Sequence, residues 1–320
     1  MSLSLFTKLM TTSRTIKESG YNLEGQLDND DKNIELDIVE PIVRNVLTMD
    51  RSTYHTIYIT TDRNIYATGY NGQGQLGIGS RDNAYSLTRV VLPSYRDIKS
   101  VTCGGYHTIF LTNSGEVYVT GYNAFGQLGL GHTDNVYTPV KLTSLSDIEE
   151  VYAGGYHTFF VTRSGDVYGC GKNDYGQLGI YPRQEIVNTP TKLITIVRPV
   201  KIACGGDYTI FENVEKPFFQ GAGYNGYGQL GDGTYTNASE ALTTLDPVLP
   251  EEVLNSTIEM IQCGSHHTLF LLDNRNVYGA GSNMYGQLGL GQNTPDSNTF
   301  VKINVQGIQN IVTSHPPCTA

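Results

Sequence analysis

Apolar residues along this chain come in short bursts, not in long helical stripes. Ile98 to Cys103, Thr108 to Leu111 and Val117 to Thr120 are runs of bulky and β-branched residues, the pattern of strands. Turn residues separate them. Gly104-Gly105 makes a tight turn, and Asn113-Ser114-Gly115 makes a hairpin in which glycine accepts positive φ. A fourth, outer strand is expected at Val140 to Leu142, after Pro139, because proline suits a strand start or an edge. Each unit of about 50 residues thus holds four short strands and four turns. No stretch keeps a 3.6-residue apolar period long enough for a full helix. The best short candidate is Pro250 to Leu254, where Glu251 and Glu252 suit a helix N-terminus.

Two motifs alternate through these units. The first reads G-Y-N-x-x-G-Q-L-G at 121–129. Near-copies stand at 20–28 (ending in Asp28), 69–77, 171–179, 223–231 and 281–289. Their first glycines are 49, 52, 50, 52 and 58 residues apart, the spacing of a repeat architecture. The second motif runs from Cys103 to Thr108 as C-G-G-Y-H-T. It returns at Ala153 to Thr158, Cys204 to Thr209 and Cys263 to Thr268, with Tyr54-His55-Thr56 left of a degraded copy. Four-stranded units arranged in a ring make a β-propeller, and a ring removes exposed sheet edges. The expected fold is all-β: one domain over 1–320, a six-bladed propeller with four-stranded blades. Phe6 to Ser13 aligns with the second strand of a repeat, and Ile308 to Ser314 with the first. Pairing of these terminal segments is expected to close the ring.

Composition narrows the function. The 31 acidic residues outnumber the 21 basic ones, for a net charge of −10. Phosphate-backbone binding needs clustered Lys and Arg, so nucleic acid is not the expected partner. There is no apolar run near 20 residues and no secretory leader, so the expectation is an intracellular protein, cytoplasmic or nuclear, without a membrane span. Cys103, Cys204 and Cys263 occupy one repeat position that Ala153 also fills, which marks a small buried residue, not a disulfide or a redox pair.

The motifs at Gly104 to Thr108, Gly115 to Tyr118 and Gly121 to Gly129 resemble the repeats of the regulator of chromosome condensation family. That pattern is G-G-x-H-T, then G-x-V-Y, then G-x-N-x-x-G-Q-L-G. The resemblance covers about residues 6 to 315. It implies a propeller, and it implies nucleotide exchange on a small GTPase as one function, since the family's namesake acts so on Ran through a wedge inserted in one blade. This chain departs from the pattern. It has no Trp; Thr68, Thr120, Cys170, Ala222 and Ala280 stand where the family has it, which argues against light sensing through Trp clusters. The namesake has seven blades and six are counted here. No G-x-N-x-x-G segment is interrupted by a wedge, and the namesake's basic tail is missing.

The repeated His55, His107, His157 and His267 read as structural, bonding backbone at a tight turn, because Tyr208 replaces one. The repeated Asn and Gln of the loops read as caps on backbone groups. The glycine-rich loops lack the Gly-Lys-Ser/Thr and helix of a phosphate site, and no catalytic signature occurs. No catalytic residue, metal ligand or cofactor is expected. Departures from the repeat carry the candidate partner surface. These are the acidic loop with Asp28, Asp30 and Asp31, the irregular hairpin with Glu212, Glu215, Lys216 and Phe218, and the long connector with Asp246, Glu251 and Glu252. The expected function is a non-catalytic interaction scaffold for a protein partner. The alternative is a guanine-nucleotide exchange factor for a small GTPase.

Overall fold

The computed structural model of the protein describes residues 45–93, 97–197, 199–290, 294–305 and 308–311, and the backbone of strands at 7–10, 16–20 and 36–39. β1 (Thr7–Met10), β2 (Ile16–Gly20) and β3 (Leu36–Val39) form a three-stranded antiparallel sheet. Five four-stranded antiparallel sheets follow, each in chain order. The second holds β4 (Val46–Arg51), β5 (His55–Thr60), β6 (Ile65–Gly69) and β7 (Ala84–Val90). The third holds β8 (Ile98–Cys103), β9 (His107–Thr112), β10 (Val117–Gly121) and β11 (Val136–Lys141). The fourth holds β12 (Ile148–Ala153), β13 (His157–Thr162), β14 (Asp166–Lys172) and β15 (Ile186–Val197). The fifth holds β16 (Pro199–Cys204), β17 (Tyr208–Asn213), β18 (Phe219–Gly223) and β19 (Ala238–Thr244). The sixth holds β20 (Ile258–Cys263), β21 (His267–Leu272), β22 (Val277–Gly281) and β23 (Ser297–Ile303). Helix α1 (Glu251–Leu254) lies where the sequence places it, with Pro250 as its N-cap.

The second strand of each four-stranded sheet is apolar on both faces because neighbouring sheets cover both. Ile109, Phe110 and Leu111 on β9 are at most 2% exposed. Burying each such side chain contributes roughly 1.5–3 kcal/mol. The cores are shared between sheets: Ile57, Ile59 and Leu76 pack with Ile98, Phe110 and Tyr118. The first strands converge on one central cavity, lined by Asp50, Cys103, Ala153, Cys204 and Cys263. The five four-stranded sheets therefore stand around a common axis.

The outer strand begins earlier than the sequence suggests. β11 runs from Val136 through Pro139, not from Val140. Its register against β10 shifts between Val119 and Gly121, and the proline sits in that irregular stretch of an outermost strand, where no ladder donor is needed. Part of the expected closing pair lies outside the described residues. Ile308 to Ile311 carries no strand, and the rest of that segment, with Phe6, Thr11 and Thr12, lies outside the described residues. Ile311 is instead buried with Leu271, Val277 and Ile303 of the sixth sheet.

Candidate functional site

Each four-stranded sheet sends two connections to the same end: the turn between its first and second strands, and the loop between its third and fourth. Call this end the turn face. The hairpins between second and third strands, and the connectors to the next sheet, lie at the other end, the hairpin face.

The turn face rests on a hydrogen-bonded frame. Asn123 accepts from Leu128 N–H at 3.0 Å and donates to the His132 carbonyl at 2.9 Å, while Gln127 Oε1 accepts from Phe125 N–H at 3.1 Å. The Asn bond recurs from Asn71 to Asn283, as capping roles predict. Gly121 opens the loop at φ +109°, and a Cβ there would lie 2.5 Å from the Tyr106 carbonyl oxygen.

Histidines tie one sheet to the next. His55 Nε2 lies 2.9 Å from Thr108 Oγ1, His107 Nε2 2.9 Å from Thr158 Oγ1, and His157 Nε2 3.0 Å from Thr209 Oγ1. Each threonine donates its one hydroxyl proton to a Gln carbonyl of the preceding loop: Gln75, Gln127 and Gln177. The imidazole Nε2–H is therefore the donor to the threonine. Burial pushes the pKa of His55 and His107 down to about 3, so both stay neutral. Tyr208 replaces the fourth histidine. Its longer side chain donates to the His267 carbonyl at 2.5 Å and lies 3.0 Å from Thr268 Oγ1. His55, His107 and His157 are structural, as read from the sequence, but their Nε2 partner is the next sheet's threonine and not the turn backbone.

Beside the Asn, His and Thr of this frame, other turn-face positions present half-buried aromatic rings. Tyr54 stacks on Tyr106 at 5.0 Å and 10°. Tyr106 reaches Tyr156 at 6.3 Å, Tyr70 and Tyr122 flank the line, and Phe125 meets Tyr156 at 5.2 Å. Beyond them Tyr175 meets Tyr224 at 5.0 Å, and Tyr227 meets His266 at 4.7 Å. The arc crosses all five four-stranded sheets. Lys172 stands at its middle. Its ammonium lies 5.8 Å from the Phe125 ring, 5.9 Å from Tyr156 and 5.2 Å from Tyr175. It also pairs with Asp207 at 3.1 Å and Asp174 at 3.4 Å. Burial pulls the Lys172 pKa down, but the Asp207 and Asp174 carboxylates outweigh it and hold it above the ordinary value.

The segments singled out by sequence lie elsewhere. Asp28, Asp30 and Asp31 are outside the described residues. Two other segments do meet on the hairpin face. Asp246 accepts from Phe218 N–H at 2.9 Å and from Phe219 N–H at 2.8 Å, and Phe218 packs on the core. Glu212 pairs with Lys201 at 2.9 Å. Glu252 accepts from Tyr278 O–H, Lys302, Asn274 and Asn276, and these bonds hold its pKa down at about 2. These carboxylates serve the protein's own structure. Glu215, Lys216 and Glu251 remain exposed, with Lys216 5.7 Å from the Phe218 ring. Sequence reasoning missed the aromatic arc, although the repeated Tyr after Gly-Gly and after the loop's first glycine was its signal.

The central cavity, of about 350 Å³, is lined by Asp50, Lys201 and Glu259 as well as by the cysteines, and burial raises the Asp50 pKa to about 6. Burial pushes the Cys263 thiol up to about 12, and Cys103 and Cys204 are raised as well. Their thiols are buried small groups, as the Cys–Ala interchange implied. Among the described residues no group of three His, Cys, Asp or Glu side chains is placed to hold a metal ion. No helix among them is long and apolar enough to cross a membrane.

Sheets of this kind around one axis, with this turn frame, define a β-propeller of tandem repeats. The description "Regulator of chromosome condensation (RCC1) repeat" matches residues 63–111, 114–161, 164–211 and 221–271, more than half of the chain. The chain belongs to the RCC1 repeat family. It is 30% identical over 255 residues to the ultraviolet-B receptor UVR8 of Arabidopsis thaliana, covering 78% of this chain and 44% of that protein. It is 37% identical over 220 residues to the X-linked retinitis pigmentosa GTPase regulator of Homo sapiens, covering 68% of this chain and 21% of that protein. The chain thus spans less than half the length of these curated relatives. Among solved structures, human WBSCR16 superposes with a TM-score of 0.83 at 24% identity, over 97% of this chain and 82% of that one. Prp20p from Saccharomyces cerevisiae, described with its binding properties to Gsp1p and histones, gives 0.82 at 19%, over 97% and 78%. At these identities the two structures speak to the fold.

Proposed function

We propose that this chain is a non-catalytic, intracellular protein-interaction platform, built as a closed six-bladed ring whose turn face docks a protein partner. One observation carries the reading: a half-buried aromatic arc crosses five sheets on a face whose repeated Asn, His and Thr side chains are engaged in the repeat frame. Aromatic residues on a rigid support are the usual anchors of protein interfaces. Among the described residues, no group of three His, Cys, Asp or Glu side chains is placed to hold a metal ion.

Nucleotide exchange on a small GTPase is the second reading, favoured by the human relative named as a GTPase regulator. Against it, no loop between third and fourth strands among the described residues carries an added strand that could act as a wedge. The test has two arms. Partner capture from cell extract is compared between wild type and the Tyr106→Ala/Tyr156→Ala double variant; equal recovery would remove the turn face from the reading. A panel of small GTPases loaded with fluorescent GDP is then mixed with the protein. Accelerated release on any member would overturn the non-catalytic assignment.

A further inference from the structure

Resting on the platform reading, this inference names the chemistry of the partner. We propose that the turn face docks a basic, extended polypeptide segment, whose arginine or lysine heads lie against the tyrosine rings.

The protein itself shows that this environment accepts a cation. Lys172 sits within 6 Å of three ring centroids and is closed in by two carboxylates. Gln177 also donates to Asp207, at 3.3 Å, so that carboxylate is held in place from a second side. The arrangement is a cation receptor already filled by a residue of its own chain. The charge balance of the face extends the argument. Its third-to-fourth-strand loops carry Asp82, Asp134, Asp174, Glu185, Asp232 and Asp296 against Arg81, Lys172 and Arg183. Arg183 is paired with Glu240, and Arg81 lies over the Tyr137 ring and donates to the Gly72 carbonyl. The face therefore keeps a negative surplus, in a chain of net charge −10. That surplus disfavours single-stranded nucleic acid, which also stacks on aromatic platforms but needs a basic groove for its phosphates. Spacing fits an extended peptide. Alternate residues of a strand are about 7 Å apart, and the Tyr106 and Tyr156 centroids are 6.3 Å apart. Side chains at alternate positions could meet successive rings.

The experiment uses fluorescein-labelled peptides and fluorescence anisotropy at about 0.15 M salt. One peptide alternates Arg with Ser; the matched peptide carries Gln in place of every Arg. The wild type should bind the Arg peptide at least about tenfold more tightly than the Gln peptide, and Tyr106→Ala and Tyr156→Ala should each weaken it about fivefold. Tyr106→Phe keeps the ring and should bind like wild type, which separates loss of the ring from loss of the turn. Lys172→Met vacates the cage and should bind more tightly, with its melting midpoint measured alongside. The proposal is overturned if the Arg and Gln peptides bind alike, if both Ala variants bind like wild type, or if labelled oligothymidine of about twelve nucleotides binds more tightly than the Arg peptide. Failure here, with capture of a natural partner still lost in the Tyr106→Ala/Tyr156→Ala variant, would refute the basic partner and leave the platform standing. Retained capture in that variant would refute the turn face itself.

Discussion

The turn face and the hairpin face are ends of the same sheets, yet their side chains do different work. On the turn face the repeat is strict. Asn123 and Gln127 bond the loop backbone, and His107 bonds Thr158, which donates to the Gln127 carbonyl; the same bonds recur in neighbouring sheets. That frame leaves Tyr54, Tyr106, Tyr156 and the loop aromatics half-buried, side by side. On the hairpin face the repeat is broken, and the odd residues repair the break. Asp246 caps the hairpin backbone, Glu252 gathers four donors, and Glu212 holds Lys201. Irregularity in a repeat protein is thus a poor guide to a binding surface when the irregular charges are used internally. The more useful signal is a residue that recurs in the repeat although the hydrogen-bonded frame does not use it, as Tyr54, Tyr106 and Tyr156 do.

The largest expected effect comes from breaking the frame. Gly121→Ala places a Cβ 2.5 Å from the Tyr106 carbonyl oxygen and 2.8 Å from His107 Cα, at φ +109°. The expected loss is about 3 kcal/mol in urea unfolding, with loss of partner capture because Tyr106 and Tyr122 flank the clash. A variant of wild-type stability would show that the turn-face backbone adapts more easily than its geometry implies.

The inter-sheet bond comes next. Thr158→Val removes the acceptor of His107 Nε2–H and the hydroxyl donor to the Gln127 carbonyl. Cys170 still reaches that carbonyl at 3.4 Å, so one orphaned donor dominates, and the expected loss is about 2 kcal/mol. Thr158→Ser keeps the hydroxyl and should recover most of it. If Val and Ser behave alike, the hydroxyl bridge contributes little, and packing alone joins these sheets.

The two faces should respond to acid in different windows. Burial lowers the pKa of His55 and His107 from 6.5 to about 3, so the turn face should lose stability as pH falls below 6.5, and the hairpin face follows at lower pH. Folding depresses the Glu252 pKa from 4.5 to about 2, chiefly through the Tyr278, Lys302 and Asn276 bonds. A depressed carboxylate adds stability that is present above its unfolded pKa and is lost as pH falls toward the folded one. Urea midpoints should therefore fall between pH 4.5 and 2 in the wild type, and fall less in Glu252→Gln. Parallel curves would mean that Glu252 does not hold the connector.

Much of the fold is legible in sequence because it is local. The strand bursts, the Gly121 turn and short helix α1 each depend on neighbours within a few residues. The loop copies at regular spacing then announce the repeat architecture. Pro139 marked the strand as an outer one but misled about its start, since nothing local shows that the pairing of β11 with β10 shifts register there. The aromatic arc is illegible for a different reason. Tyr106 and Tyr156 stand fifty positions apart, and only the packing of sheet on sheet brings their rings to 6.3 Å. Likewise Asp246 reads as an exposed acid until the fold turns it onto the backbone of Phe218 and Phe219.

The smallest expected effect is the sharpest check on the comparison. Glu215 and Lys216 are the exposed charges of the irregular hairpin, beside a groove of about 540 Å³ lined also by Val214 and Pro217. If the hairpin face only repairs itself, Glu215→Ala/Lys216→Ala should change stability by no more than about 0.5 kcal/mol. Partner capture should equal that of the wild type. The turn-face variant Tyr106→Ala/Tyr156→Ala serves as the contrast on the same bait. Capture lost in the hairpin variant and kept in the turn-face variant would reverse the assignment of the two faces. The groove beside Val214 would then be the docking site, and the tyrosine arc a means of packing one sheet's turn against the next.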